Sequence, residues 1–118
     1  MKVELPPGYW NPKIELLPRS DLKELQMKRL RHAIQYAWEA SPFYRKLMER
    51  HGLSPDQIRS LGDFYKRFPI TRREDLDQDQ LNNPPYGTRL AVHPESALRY
   101  HTTSGTTGKP PVKAFDTE

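Results

Sequence analysis

Five hydroxyls, two glycines and one lysine stand within nine consecutive residues, Thr102-Thr103-Ser104-Gly105-Thr106-Thr107-Gly108-Lys109-Pro110. Gly105 and Gly108 allow positive φ angles and let backbone N–H groups come close to a ligand. The hydroxyls can donate to phosphate oxygens, and Lys109 adds a compact positive charge. Hydroxyls, bare amides and one ammonium in this order suit a polyphosphate. The string is not a Walker A loop, which needs four residues between Gly and Gly-Lys, then Ser or Thr at the start of a helix. Here two residues separate the glycines, and Pro110-Pro111 replaces the hydroxyl and blocks a helix. The phosphates would meet a hairpin loop.

Other chemistry is weaker. His32, His51, His93 and His101 show no metal-ligand spacing. His32 reads as a border residue, His51 as a helix end, and His101, just before the loop, as a packing residue. Glu74, Asp75, Asp77 and Asp79 form an acidic run, but the Gly and distal Glu of a calcium loop are missing, so it reads as a solvated face. Lys23, Lys28, Arg29, Arg31, Arg45, Lys46 and Arg50 make the helices basic and raise a helical nucleic-acid-binding module as a rival reading. Glu15, Asp21, Glu24, Glu39 and Glu49 are mixed among them, and a net charge of +4 gives only a modest electrostatic drive, so no nucleic-acid partner is expected.

The elements that must position the loop can be followed along the chain. Residues 1–18 carry Pro6, Pro7, Pro12 and Pro18 among Tyr9, Trp10, Ile14, Leu16 and Leu17, which reads as a non-helical, extended arm lying on an apolar surface. Residues 19–80 read as a helical segment. Ser20 caps its first helix, and Leu22, Leu25, Leu30, Ala33, Ile34, Ala37 and Trp38 form one stripe. Ser41-Pro42 stops that helix and starts another, with Phe43, Tyr44, Leu47 and Met48 on one side and His51-Gly52 at its end. Ser54 to Gln57 is a capping box before a short turn, and Thr71 to Glu74 is a second, opening a helix through Leu76. Residues 77–87 read as a polar loop. Residues 88–118 read as strand, phosphate loop, strand: Leu90 and Val92 pair in a short hairpin with Leu98 to Thr102, and Val112 to Phe115 begins a second strand after the loop, as in a hairpin, with nothing beyond it to pair against. Trp10, Trp38, Phe43, Phe64 and Phe68 are the expected core.

Composition sets the limits. In 118 residues, hydrophobic side chains make up 35% and prolines number 12, which is little core for an independent α/β domain. The segment order suggests the front of a larger α/β protein, with apolar surface left exposed that would favour a homo-oligomer. Zero cysteines exclude disulfides and Cys-ligated metals. No apolar run approaches the roughly 20 residues of a membrane span, and Met1 to Gly8 lack the apolar stretch of a signal peptide. A cytoplasmic protein with no membrane partner is expected.

Ser104 to Pro110, following a strand, resembles the phosphate loop of the adenylate-forming, AMP-binding superfamily. Arg99-Tyr100-His101-Thr102-Thr103 ahead of it is similar to the phenylacetate–CoA ligase branch. So are Tyr9-Trp10-Asn11-Pro12, Ala40 to Arg45 and Phe68 to Leu76. The resemblance covers essentially the whole chain and corresponds to about the first quarter of a family member. It implies an α/β fold, of which these residues are a mainly α-helical part ending in a short β-hairpin: an N-terminal piece of the large adenylation domain. It also implies two-step chemistry. A carboxylate, here an aryl acid, attacks the α-phosphate of Mg2+-bound ATP to give an acyl-adenylate and pyrophosphate; the thiol of coenzyme A then displaces AMP. By position, Thr102 and Thr103 begin the loop, and Ser104, Gly105, Thr106, Thr107, Gly108 and Lys109 hold the β- and γ-phosphates. Lys109 and Thr106 would act catalytically, by stabilising the leaving group. Pro111, where the branch often has Thr, removes one donor.

The resemblance also implies that the Mg2+ ligand, the ribose, acid and coenzyme A sites, and a C-terminal-domain lysine lie beyond Glu118. The chain by itself is therefore expected to be inactive and to need the rest of its domain or a second subunit. A small non-catalytic subunit of a split ligase is the alternative within the same family.

Overall fold

A computed structural model describes residues 8–104, 108 and 111–117. Five helices precede a two-stranded antiparallel sheet: α1 (Pro12–Glu15), α2 (Arg19–Ala40), α3 (Pro42–Arg50), α4 (Leu61–Arg67), α5 (Arg73–Asn82), β1 (Arg99–Thr102) and β2 (Lys113–Asp116). Short 3₁₀ turns lie at Pro55–Gln57 and Pro94–Ser96. The mainly helical chain with a C-terminal hairpin is the architecture expected from sequence.

The core lies where α2 and α3 meet. Ile34, Met48, Leu53 and Ile58 are buried together, with Met27, Leu30, Trp38, Tyr44, Phe64 and Phe68 packed around them. Ile34, Leu30, Met27 and Trp38 share a face of α2 because three- and four-residue steps return to one side of a helix. Phe43 is half-buried and meets Tyr44 edge-on, ring centroids 5.2 Å apart. Trp10 corrects the expected core: it is 92% exposed. The arm is not extended throughout either, for Pro12 occupies the first turn of α1, where a missing N–H leaves no hydrogen bond unmade. The arm's backbone is satisfied locally, by Ile14 and Glu15 N–H groups donating to the Asn11 carbonyl, and Trp10 lies on no apolar surface among the described residues.

Helix ends differ from the sequence reading in instructive ways. Ser20 lies inside α2, which starts after Pro18, and its hydroxyl donates to Asp21 at 2.9 Å. Ser41 precedes α3 as expected, but its buried hydroxyl donates to the Arg89 carbonyl at 2.7 Å. Ser60 caps α4 by accepting from the Asp63 N–H at 3.0 Å. The cap of α5 is Arg72, whose N–H donates to Asp75 at 2.8 Å, and α5 continues to Asn82, through residues read as loop.

The hairpin is also paired differently. Leu90 and Val92 lie in no strand. That segment runs along the α2–α3 junction, where Phe43 N–H donates to the Thr88 carbonyl and Tyr36 hydroxyl to the Ala91 carbonyl. With those carbonyls taken by the helices, no ladder forms there. Instead β1 pairs with β2 in the register Arg99 to Asp116, Tyr100 to Phe115, His101 to Ala114 and Thr102 to Lys113. The strands on either side of the loop thus pair with each other, as the strand–loop–strand reading expects, and it is the pairing with Leu90 and Val92 that does not form. Phe115 sits between Tyr86 and Tyr100, with centroids 4.8 and 5.4 Å away.

Candidate functional site

The turn of the β1–β2 hairpin is occupied by the Ser/Thr/Gly/Lys string, so its base can be built from described residues. β1 ends at Thr102. One step on, Thr103 N–H donates to the Val112 carbonyl at 3.0 Å, and Val112 N–H returns to Thr103 Oγ1 at 2.9 Å. Val112 is buried. Thr103 and Val112 thus close the neck of the loop through both backbone and side chain.

Helix α5 backs this neck. Arg73, Asp77 and Gln80 fall at spacings of four and three, which puts them on one helix face. The Arg73 guanidinium donates through Nε to Asp77 at 2.8 Å and through its terminal nitrogen to Thr103 Oγ1 at 3.2 Å. Asp77 and Gln80 are both buried, at 6% exposure. Gln80 Nε2 donates to the Pro111 carbonyl at 2.8 Å, while its Oε1 accepts from Lys113 N–H at 3.1 Å. Arg89 donates to the Lys113 carbonyl, and the Lys113 ammonium lies 5.6 Å from the centre of the Tyr86 ring.

The preceding turn is tied to the same helix. Asp79 accepts from Thr88 N–H at 2.7 Å and from Thr88 hydroxyl at 2.6 Å. The acidic run is only in part a solvated face: Glu74 and Asp75 are exposed, whereas Asp77 is buried and Asp79 half-buried. Asp75 caps α5, Asp77 pairs with Arg73, and Asp79 latches Thr88. Nothing in the local pattern distinguishes these carboxylates from solvent-facing ones. The available signal was the i, i+4, i+7 spacing of Arg73, Asp77 and Gln80, a polar stripe where a buried helix face would ordinarily be apolar.

Of the sequence-derived site residues, Thr102 ends β1, Thr103 sits at the neck, and Ser104 is exposed just past it. Gly108 is exposed with φ +73°, a left-handed conformation that glycine adopts without steric cost. Gly105, Thr106, Thr107 and Lys109 lie outside the described residues. His101, read as a packing residue, is exposed on β1, and His32 is exposed on α2. His51 ends α3, with its Nδ1 2.9 Å from the Leu47 carbonyl. Among the described residues no cluster of three or more His, Asp or Glu could hold a metal ion, and no helix is long and apolar enough to cross a membrane.

No family model matches the chain. Individual proteins do. The chain is 40% identical over 116 residues to a phenylacetate–coenzyme A ligase of Aromatoleum evansii, a match covering 98% of this chain and 25% of the relative. It is 40% identical over 106 residues to a phenylacetate–coenzyme A ligase of Thermus thermophilus, covering 90% of this chain and 22% of that one. Among solved structures, 2-hydroxyisobutyryl-CoA ligase in complex with 2-hydroxyisobutyryl-AMP and CoA, in the thioesterification state, superposes with a TM-score of 0.83 at 38% identity, over 95% of this chain and 24% of that chain. The chain thus spans about a quarter of the length of the curated relatives it matches. With identity of this order running through nearly all its residues and a CoA ligase fragment superposing on its backbone, the chain is similar to a stretch about a quarter of the length of phenylacetate–CoA ligases.

Proposed function

We propose that this chain is the N-terminal, ATP-phosphate-binding part of an ATP-dependent ligase that joins an aryl carboxylic acid to coenzyme A through an acyl-adenylate. The observation that supports the reading is that the Ser/Thr/Gly/Lys string connects two paired strands beyond a neck, Thr103 and Val112, that α5 backs. In this reading Thr102 and Thr103 lead into the loop, and Ser104, Gly105, Thr106, Thr107, Gly108 and Lys109 hold the β- and γ-phosphates. When the acid carboxylate attacks the α-phosphorus, the bond to the bridging oxygen breaks and negative charge grows on departing pyrophosphate. Preplaced hydroxyl, amide and ammonium donors lower that barrier, because their orientation needs no further rearrangement as the charge develops. Gly108, exposed and at φ +73°, carries no side chain to stand between its backbone and a phosphate.

Mg2+ would offset phosphate charge in such a reaction, but the described residues do not supply a site for it, so no step through the ion is derived from this chain. The ribose, acid and coenzyme A sites are likewise assigned to the rest of the domain. An aryl acid is favoured as substrate because the curated relatives are named for phenylacetate. The solved neighbour is named for a short hydroxy acid at similar identity, so the test must compare the two classes. The full polypeptide bearing this sequence, given ATP, Mg2+ and coenzyme A, is expected to form thioester from phenylacetate and related aryl acids faster than from 2-hydroxyisobutyrate. The reverse order would reassign the acid. Absence of thioester, and of acid-dependent AMP release, with every acid would refute the ligase reading. The 118-residue chain alone is expected to form none.

A further inference from the structure

We infer that Gln80 and Arg73 are positioning residues for the phosphate loop, each holding one of its two ends from the same face of α5. The inference rests on the ligase reading above and deepens it. Residues 104–111 leave the hairpin at Thr103 and return at Val112. On the outgoing side, Arg73 donates to Thr103 Oγ1 while its Nε is held by buried Asp77, so the guanidinium cannot swing away without breaking that pair. On the returning side, the Gln80 amide bonds the Pro111 carbonyl and the Lys113 N–H, straddling Val112. That is the pattern one residue of a neighbouring parallel strand would make. Gln80 therefore stands in for a strand that the two-stranded sheet lacks at this point, and it extends the fixed backbone up to Pro111, two residues before Lys113, where β2 starts.

The chemistry explains why glutamine serves. Its side chain offers a donor and an acceptor together and carries no charge into a site that is nearly closed to water. A glutamate of the same shape would keep the acceptor for Lys113 but turn an oxygen toward the Pro111 carbonyl. Arginine serves on the other side because its planar fork reaches two partners at once, which a lysine ammonium on a flexible stem does less well. A loop whose donors must meet phosphate oxygens at hydrogen-bond distance needs fixed ends, since small displacements of positioning groups cost large factors in rate.

The test uses the full polypeptide carrying Gln80→Glu, with Gln80→Met as the second variant should the first fail to fold, and Arg73→Met paired with the conservative Arg73→Lys. Three readouts separate positioning from plain stability: acid-dependent exchange of pyrophosphate into ATP, thioester formation from preformed acyl-adenylate, and amide hydrogen exchange at Val112 and Lys113. Either Gln80 variant is expected to raise the ATP KM in the exchange reaction about tenfold, the equivalent of one lost hydrogen bond. It should also speed amide exchange at Lys113 and lower the unfolding midpoint modestly, while leaving the thioester step near that of wild type. Arg73→Met should act on the same half-reaction, with Arg73→Lys recovering part of the loss. Wild-type ATP kinetics in folded variants would overturn the positioning role. So would an equal fall in both half-reactions that tracks a lowered unfolding midpoint. A wild-type protein without pyrophosphate exchange would instead refute the ligase reading, and with it the purpose assigned to the clamp, while the amide-exchange change would still register the clamp itself.

Discussion

Replacing Gly87 by alanine tests whether the turn before the hairpin is held by the Asp79 carboxylate. Gly87 has φ +72°, and a Cβ on it would lie 2.3 Å from Asp79 Oδ2, 3.2 Å from its Cγ and 3.3 Å from the Gln80 Cα. Two costs follow. A non-glycine residue in the left-handed region costs about 1 kcal/mol. The carboxylate must also move, and it cannot do so while accepting from both Thr88 N–H and Thr88 hydroxyl. Losing charge-assisted bonds of this kind costs about 1.5–3 kcal/mol, so Gly87→Ala should destabilise the chain by about 2.5–4 kcal/mol. Urea unfolding of wild type, Gly87→Ala, Asp79→Ala and the double variant measures it. In the Asp79→Ala background the carboxylate is gone, and the added cost of Gly87→Ala should fall to about 1 kcal/mol, a coupling typical of residues in contact. Additive costs, or a Gly87→Ala penalty below about 1 kcal/mol, would refute the reasoning.

Three further outcomes follow from burial and capping. Met48 is fully buried at the centre of the core, and Met48→Ala should cost about 2–5 kcal/mol in the same unfolding experiment. Trp10, 92% exposed, should tolerate alanine within about 0.5 kcal/mol in this chain; a larger loss would mean that the arm packs on a surface after all. The Arg59 N–H and the Ser60 hydroxyl hold the Asp63 carboxyl below the usual carboxylate range, and the Ser54 hydroxyl and the backbone N–H of Asp56 itself do the same for Asp56. Both groups have depressed values in the folded chain, so their contribution is complete above the unfolded carboxylate value, near 3.9, and is lost as pH falls through the folded ones. Carboxyl NMR titration should show both midpoints below that of a free aspartate. Amide exchange over residues 54–63 should rise in acid before the α2–α3 core opens.

The loop string could be singled out as a candidate phosphate loop from sequence alone, because hydroxyls, glycines and a lysine in a row need no distant partner to suggest that chemistry. The α2–α3 core was legible as well, since an apolar stripe such as Leu30, Ile34 and Trp38 announces a buried helix face whatever covers it. What escaped was the polar burial around α5. Asp77 and Gln80 look like loop residues until Arg73, Pro111 and Lys113 are known to lie against them, and for Gln80 those partners are 31 and 33 residues away in sequence. Ser41 escaped for the same reason, its hydroxyl serving the distant Arg89 carbonyl in place of its own helix. Trp10 erred the other way. Residue type alone marked it as core, but burial depends on a surface to lie on.

The central claim, that this chain brings a phosphate loop to an acid–CoA ligase, is tested most directly at Lys109. Acid-dependent pyrophosphate exchange should be measured for the full polypeptide and for Lys109→Ala. The account predicts exchange in the wild type and a fall of about a hundredfold or more in the variant, the scale of losing one preorganised donor to a developing anion. Unchanged amide exchange at Ile34 and Met48 would show that the fold survives the substitution. Exchange that persists at wild-type rate in a folded Lys109→Ala protein would contradict the account.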